Sequence, residues 1–280
     1  MGSPKRHHYV PEVILKRFTD DSDWLHLFSK RNKRTRPTRI RNAFCEGHLY
    51  SEELADGGKD SKVEHDLSWL EGVIGPILAK LEIAGGSGIN PNLTAIELLT
   101  WRFFFVVQWR RVPDLHKTVT TDEESSAILN EILDEMSVRF PDRSAEIFAF
   151  REPEAVRRTV RNARISGVAE VSDRVMDAIS SRGLAILAIT APTKALIVGS
   201  RPVIQLGFGD GLNLVDEATE MWLPISSKVA VGLGRRNQRE IVYSLDDHAA
   251  IRRLNLAIAR QSTEFASHSA ALTSSIVSAV

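Results

Sequence analysis

The sequence predicts an α+β protein: a basic β-hairpin near the start, a central helical bundle, an antiparallel β-rich second half and a closing helix. Three observations predict it. Apolar residues recur at helical spacing through the middle of the chain, and short apolar runs bounded by Gly, Pro and Ser follow from residue 183. Strands and helices are also segregated rather than alternating, which favours hairpin-built sheets over a doubly wound parallel one. A chain of 280 residues with 43% hydrophobic content is long enough to bury a large core. One compact domain is expected, with an opening segment and hairpin over 1–60, helices over 61–182, strands and a closing helix over 183–266, and a Ser/Ala-rich tail over 267–280 that either frays or docks through Ile276 and Val280.

The elements follow in order. His7-His8-Tyr9-Val10-Pro11 precedes a short helix or turn over Val13 to Phe18. Trp24 to Phe28 alternates as a half-buried strand does, Lys30 to Arg34 is a polar turn, and Thr38 to Arg41 returns as a second strand. Gly57-Gly58 marks a break. Lys62 to Ala84 places Val63, Leu67, Leu70, Ile74, Ile77, Leu78 and Leu81 at helical spacing, with Gly75-Pro76 expected to bend or divide the helix. A second helix starts at Asn92-Leu93-Thr94 and runs through Trp101, Phe104, Phe105 and Gln108 to Arg111, where Val112-Pro113 stops it. Thr121 to Glu124 supplies the acidic first turn of a third, reaching about Phe140. Helices over Glu154 to Arg164 and Val168 to Ser181 precede short strands at 184–190, 195–198, 203–206, 221–225, 229–233 and 241–243. Asp246-Asp247 opens the last helix, with Ile251, Leu254, Ile258 and Phe265 on its apolar stripe.

Composition narrows the function classes. Lys plus Arg and Asp plus Glu both total 36, so only local charge can attract nucleic acid or an anionic surface. That charge is uneven: residues 1–50 hold 11 basic against 5 acidic side chains, and residues 51–100 hold 3 against 9. The single Cys45 cannot form an intrachain disulfide or a Cys-rich zinc site, and it reads as a small buried hydrophobe. The apolar patch Phe103 to Val107 is too short to span a bilayer, and no apolar leader follows Lys5 to His8. A cytoplasmic protein without a membrane partner is expected.

The landmarks also resemble a family. His7-His8-Tyr9-Val10-Pro11 with Leu15 and Phe18 resembles the HHYVP…L…F opening of the DUF4238 family. Asn42-Ala43-Phe44-Cys45 with Tyr50, the acidic helix carrying Glu64, Leu67, Glu71 and Ile74, and Gln108-Trp109-Arg110-Arg111-Val112-Pro113 resemble its following blocks. Leu223-Pro224-Ile225-Ser226 and Leu254-Asn255 to Arg260 resemble its later ones. Where the family tends to carry an aspartate before Asn-Pro, this chain has Ser200-Arg201-Pro202. The resemblance implies a common fold and names no reaction.

Candidate chemistry gathers at the opening motif. His7 and His8 can serve as general base or metal ligand. Glu64 and Glu71 lie two helical turns apart on nearly one face, and Arg110, with Arg111 beside it, follows from the next helix. The set His7, His8, Glu64, Glu71 and Arg110 reads either as a structural polar network or as a catalytic site. As a catalytic site it suits phosphodiester cleavage, in which a divalent metal activates water and an arginine neutralises developing charge. No H-E-x-x-H, nucleophile elbow or phosphate loop accompanies it. Gly207-Phe208-Gly209-Asp210-Gly211 lacks the Gly-Lys-Ser/Thr continuation and reads as a turn. Lys30, Arg31, Lys33, Arg34, Arg36, Arg39 and Arg41 form a phosphate-tracking hairpin or a solvated face, and Arg157, Arg161 and Arg164 share a second basic face. The expected function is a nucleic-acid-related module acting on RNA or DNA, with metal-dependent phosphodiesterase activity as one form and defence or mobile-element biology as the setting. The alternative is a noncatalytic scaffold or protein-interaction module whose His/Glu/Arg network specifies the fold.

Overall fold

The opening motif folds as β1 (Arg6–His8), and Pro11 then sits at the N-cap of α1 (Glu12–Leu15), continued by a tight turn over Lys16–Phe18. The structure is a computed structural model describing residues 6–113, 121–206, 214, 216, 218–236 and 240–280. The hairpin follows as β2 (Trp24–Ser29) and β3 (Arg34–Arg39), longer on its return side than the alternation of Thr38 to Arg41 suggests. β4 (Cys45–Gly47) pairs antiparallel with β1, so that His7 stands opposite Glu46 and His8 opposite Cys45. Cys45 is half-buried rather than enclosed. The short strands β5 (Glu52–Glu53) and β6 (Lys59–Asp60) turn through Gly57, whose φ of +83° suits glycine.

α2 (Lys62–Ser87) runs undivided through Pro76. The proline removes one amide, but Ile74, Ile77 and Leu78 on either side of it are buried, and that burial keeps the helix continuous. α3 (Ala95–Arg110) and α4 (Asp122–Arg139) both begin with capping boxes, Thr94 with Glu97 and Thr121 with Glu124. α5 (Ser144–Ala149) is followed by α6 (Pro153–Ala169) and α7 (Asp173–Ser180). Val168, read as the start of α7, is instead the last buried position of α6.

Beyond α7 lie β7 (Arg182–Ile189), β8 (Val198–Gly199), β9 (Ile204–Leu206), β10 (Glu220–Pro224), β11 (Val229–Arg236) and β12 (Ile241–Leu245). Five of them form one sheet in the order β12-β7-β11-β10-β9, antiparallel except for the parallel pair β12–β7. α2 packs against it so closely that a Cβ on Gly85 would come within 2.7 Å of Val229. α8 (His248–Gln261), capped by Asp247, leads to β13 (Glu264–Ser267) and α9 (Ala270–Val277). Phe265 therefore leaves the stripe of the last helix; it lies on β13 opposite Phe28, ring centroids 5.3 Å apart. The Ser/Ala-rich end forms α9 and buries Ile276, while Val280 is exposed.

A second sheet, in the order β3-β2-β13-β8, joins the opening hairpin to the end of the chain. The architecture is α+β. Among the described residues no helix is long and apolar enough to cross a membrane.

Candidate functional site

Strand alternation separates the two histidines. His7 turns inward and is wholly buried, while His8 places Nε2 3.1 Å from the Ile40 carbonyl oxygen and 3.7 Å from Glu12. The Tyr50 amide donates to His7 Nδ1 at 3.0 Å, and the Tyr50 ring stacks on the imidazole with centroids 5.9 Å apart. Glu64 Oε2 lies 3.3 Å from the same Nδ1. A nitrogen whose lone pair already accepts an amide N–H has no proton to offer a carboxylate. A protonated Glu64 carries no charge to repel that lone pair, and burial pushes the Glu64 carboxyl up to about 7, with Arg111 opposing.

Arg111 is the hub. It is buried one residue past α3, donating from Nη1 to Glu71 at 2.9 Å and from Nη2 to the His8 carbonyl oxygen. Its guanidinium lies over the Tyr50 ring, and the Tyr50 hydroxyl donates to the Arg111 carbonyl oxygen at 2.6 Å. Burial opposes the Arg111 charge, yet Tyr50 and Glu71 raise its affinity for the proton above the ordinary arginine value. Burial likewise pushes the Tyr50 hydroxyl up to about 12. The structure thus brings His7, Glu64 and Glu71 into one network through Tyr50 and Arg111. It does not bring Arg110, which donates to the Glu170 carbonyl oxygen at 2.7 Å on another side of the helix end. Beside the network, His48 Nδ1 and both polar atoms of the Gln108 side chain are withdrawn from solvent without a hydrogen-bond partner.

A cavity of about 790 Å³ opens outside the network, floored by Tyr50 and Arg111 and walled by α4 and α6. None of the five expected catalytic residues lines it. Its arginines are paired: Arg151 with Asp134, Arg157 with Glu53 and Glu154, Arg161 with Glu53, and Arg164 with Asp122. Arg161 also donates to the His48 and Ser51 carbonyl oxygens, fastening α6 to the segment before β5. The basic face of α6 is a set of struts.

The hairpin is different. Arg31, Lys33, Arg34 and Arg36 are exposed, and among the described residues none has a carboxylate partner. No Asp or Glu occurs between Asp23 and Glu46, whereas seven Lys or Arg do. Arg39 lies opposite Trp24 with its guanidinium 4.2 Å from the ring centroid, and Lys30 donates to the Arg260 carbonyl oxygen at 3.2 Å. β3 is also a free edge of its sheet, where charge discourages pairing with another chain.

Among the described residues no three His, Cys, Asp or Glu side chains are placed to hold a metal ion. Ser200 is buried, and its hydroxyl accepts the Thr263 amide at 3.0 Å, stapling β8 to β13. Gly207 to Gly211 lies outside the described residues.

The chain matches the family described as Protein of unknown function (DUF4238) over residues 6–271. It belongs to the DUF4238 family. In this DUF4238 protein the opening HHYVP block is the strand that delivers His7 to Tyr50, and the Q…R-x-P block is the helix end that delivers Arg111. Comparison with curated proteins and with solved structures finds no match. Tyr50 is the member of the network that the expected site omitted, and of the two arginines offered for it, Arg110 and Arg111, the network holds Arg111. Arg111 had a signal: Trp101, Phe104, Gln108 and Arg111 continue one face at steps of three and four.

Proposed function

We propose that this protein is a noncatalytic nucleic-acid-binding module whose contact surface is the hairpin β2–β3, and that the His7–Tyr50–Arg111 network clamps the opening strand to the helices. The observation that carries the reading is the run of exposed basic side chains on the hairpin, Arg31, Lys33, Arg34 and Arg36, without a carboxylate partner among the described residues, with Arg39 stacked on Trp24. Such a surface gains by releasing counterions from phosphates, and an aromatic beside an arginine offers a base a stacking face. Backbone contact of this kind gives little sequence selectivity. The buried position of His7 and its internal hydrogen bonds support a clamp rather than a nucleophile or base.

The phosphodiesterase form places its divalent metal on imidazole and carboxylates. His7 and Glu64 supply two donors, and Glu71 is engaged by Arg111, so these side chains do not make a three-ligand site.

The test is a salt titration of binding to single-stranded and duplex DNA and RNA. The expected slope of log affinity against log salt is about −3 to −5, corresponding to a handful of phosphate contacts. Arg34→Glu/Arg36→Glu should weaken binding at least tenfold and flatten the slope. Salt-insensitive or absent binding at low salt overturns the reading. So does metal-dependent cleavage of either nucleic acid that Glu64→Gln abolishes with the fold intact.

A further inference from the structure

A second cavity, of about 540 Å³, lies between α8 and α9 and is closed on one side by residues 193–195. Its fully charged lining is cationic, Lys194 from the loop and Arg252 from α8, and two imidazoles join them, His248 one turn before Arg252 and His268 from the link between β13 and α9. No Asp or Glu lines it among the described residues. Asp247, next to His248, has its carboxylate engaged by the Ala249 and Ala250 amides at 2.8 and 3.3 Å.

The cations are held in place without being neutralised. Lys228 donates to the carbonyl oxygens of Ala191, Pro192 and Lys194 at 3.1, 3.2 and 2.6 Å. Buried Asn255 donates to the Ala195 carbonyl oxygen at 2.8 Å and accepts the Ile197 amide at 3.0 Å. A loop without regular structure is therefore pinned on both sides of Lys194, which is preorganisation. Arg252 Nη2 donates to the Ser275 carbonyl oxygen at 3.2 Å, tying the two helical walls together. Neither Lys194 nor Arg252 forms an ion pair among the described residues, in contrast to the struts of the first cavity.

His268 adds an unmet polar atom to the same lining. Its Nδ1 is withdrawn from solvent without a hydrogen-bond partner, a condition buried polar atoms rarely keep. Burial, then Lys228 and His26, hold its imidazole below the ordinary histidine range, against an opposing pull from Asp20. Ile251, Leu272 and Ile276 complete the wall with apolar surface.

We propose that this cavity binds a small organic phosphate, the phosphoryl group seated among Lys194, Arg252 and His268 and the organic body lying on Ile251, Leu272 and Ile276. Two full positive charges with two imidazoles match a dianion in charge, and Arg offers the forked donors a phosphoryl group accepts. A carboxylate brings half the charge, and inorganic phosphate leaves the apolar wall uncovered. The site is independent of the hairpin.

Calorimetry on the full chain at low salt, with phenyl phosphate, inorganic phosphate and benzoate as probes, tests it. Phenyl phosphate should bind at least tenfold more tightly than either of the others. Lys194→Gln/Arg252→Gln should weaken it at least tenfold with unchanged circular dichroism, while Arg34→Glu/Arg36→Glu leaves it as in the wild type. In the wild-type protein alone, a histidine titration followed by NMR should show the His268 imidazole becoming more basic when phenyl phosphate is added. Absence of binding, equal affinity for benzoate or inorganic phosphate, binding that survives the double substitution, or an unmoved His268 each overturns the proposal.

Discussion

Arg111 and Arg34 are the same side chain in opposite circumstances. Arg111 is buried, with Glu71, Tyr50 and a carbonyl oxygen around it, and Arg34 is exposed on an edge strand without a carboxylate partner among the described residues. Partnership, not residue type, decides what an arginine does here. Where a carboxylate meets the guanidinium inside the fold, the arginine holds elements together; where none does among the described residues, the charge is left for something outside. The first cavity, for all its arginines, belongs with Arg111, and the hairpin and the second cavity belong with Arg34.

The sharpest way to break that comparison is to remove the buried partner. Arg111→Leu leaves Glu71, the His8 carbonyl oxygen and Tyr50 short of a donor, and should lower unfolding free energy by about 3–5 kcal/mol in denaturant melts. A loss below about 1 kcal/mol would mean that the network does not clamp the strand.

How much of this was legible in the sequence depends on distance along the chain. Local chemistry was: the capping threonines, the strand runs and the opposite facing of His7 and His8 follow from neighbours a few residues away. The sequence offers Arg110 with Arg111 beside it, and one residue on a helix is a turn of about 100°, so only one of them can join the network; the buried face through Gln108 points at Arg111. Tyr50 reaches His7 across β1 and β4, and the second cavity draws on segments near 194, 250 and 268. No period or spacing encodes such meetings. The undivided α2 shows tertiary burial overriding a proline.

Glu64 offers the next largest effect. Its carboxyl rises from 4.5 to about 7 in the folded chain, so the native state holds that proton more tightly than the unfolded one. Stability contributed by this group is full below about pH 4.5 and is lost as pH rises through 7. With partial solvation discounted, the loss is about 2 kcal/mol. Glu64→Gln should remove that slope from melts taken between pH 5 and 8, and an unchanged slope would mean that the proton sits elsewhere.

Gln108 sharpens the comparison from the other side, as a buried polar group with no hydrogen-bond partner among the described residues. Gln108→Met keeps the shape and removes the unmet donors and acceptor, so it should be neutral or stabilising by about 1 kcal/mol. A clear destabilisation in denaturant melts would show that the amide has a partner. The smallest effect belongs to the hairpin: Arg34→Gln/Arg36→Gln should change stability by less than about 0.5 kcal/mol.

The sheet order β3-β2-β13-β8 carries a consequence for how the molecule is made. β2 emerges from the ribosome early, yet the strand that covers its inner flank begins at Glu264. During synthesis the half-finished sheet must wait with one flank open, and long-range pairing of this kind is slow and prone to wrong partners. The lysines and arginines on its other flank then guard a nascent chain as well as a finished one.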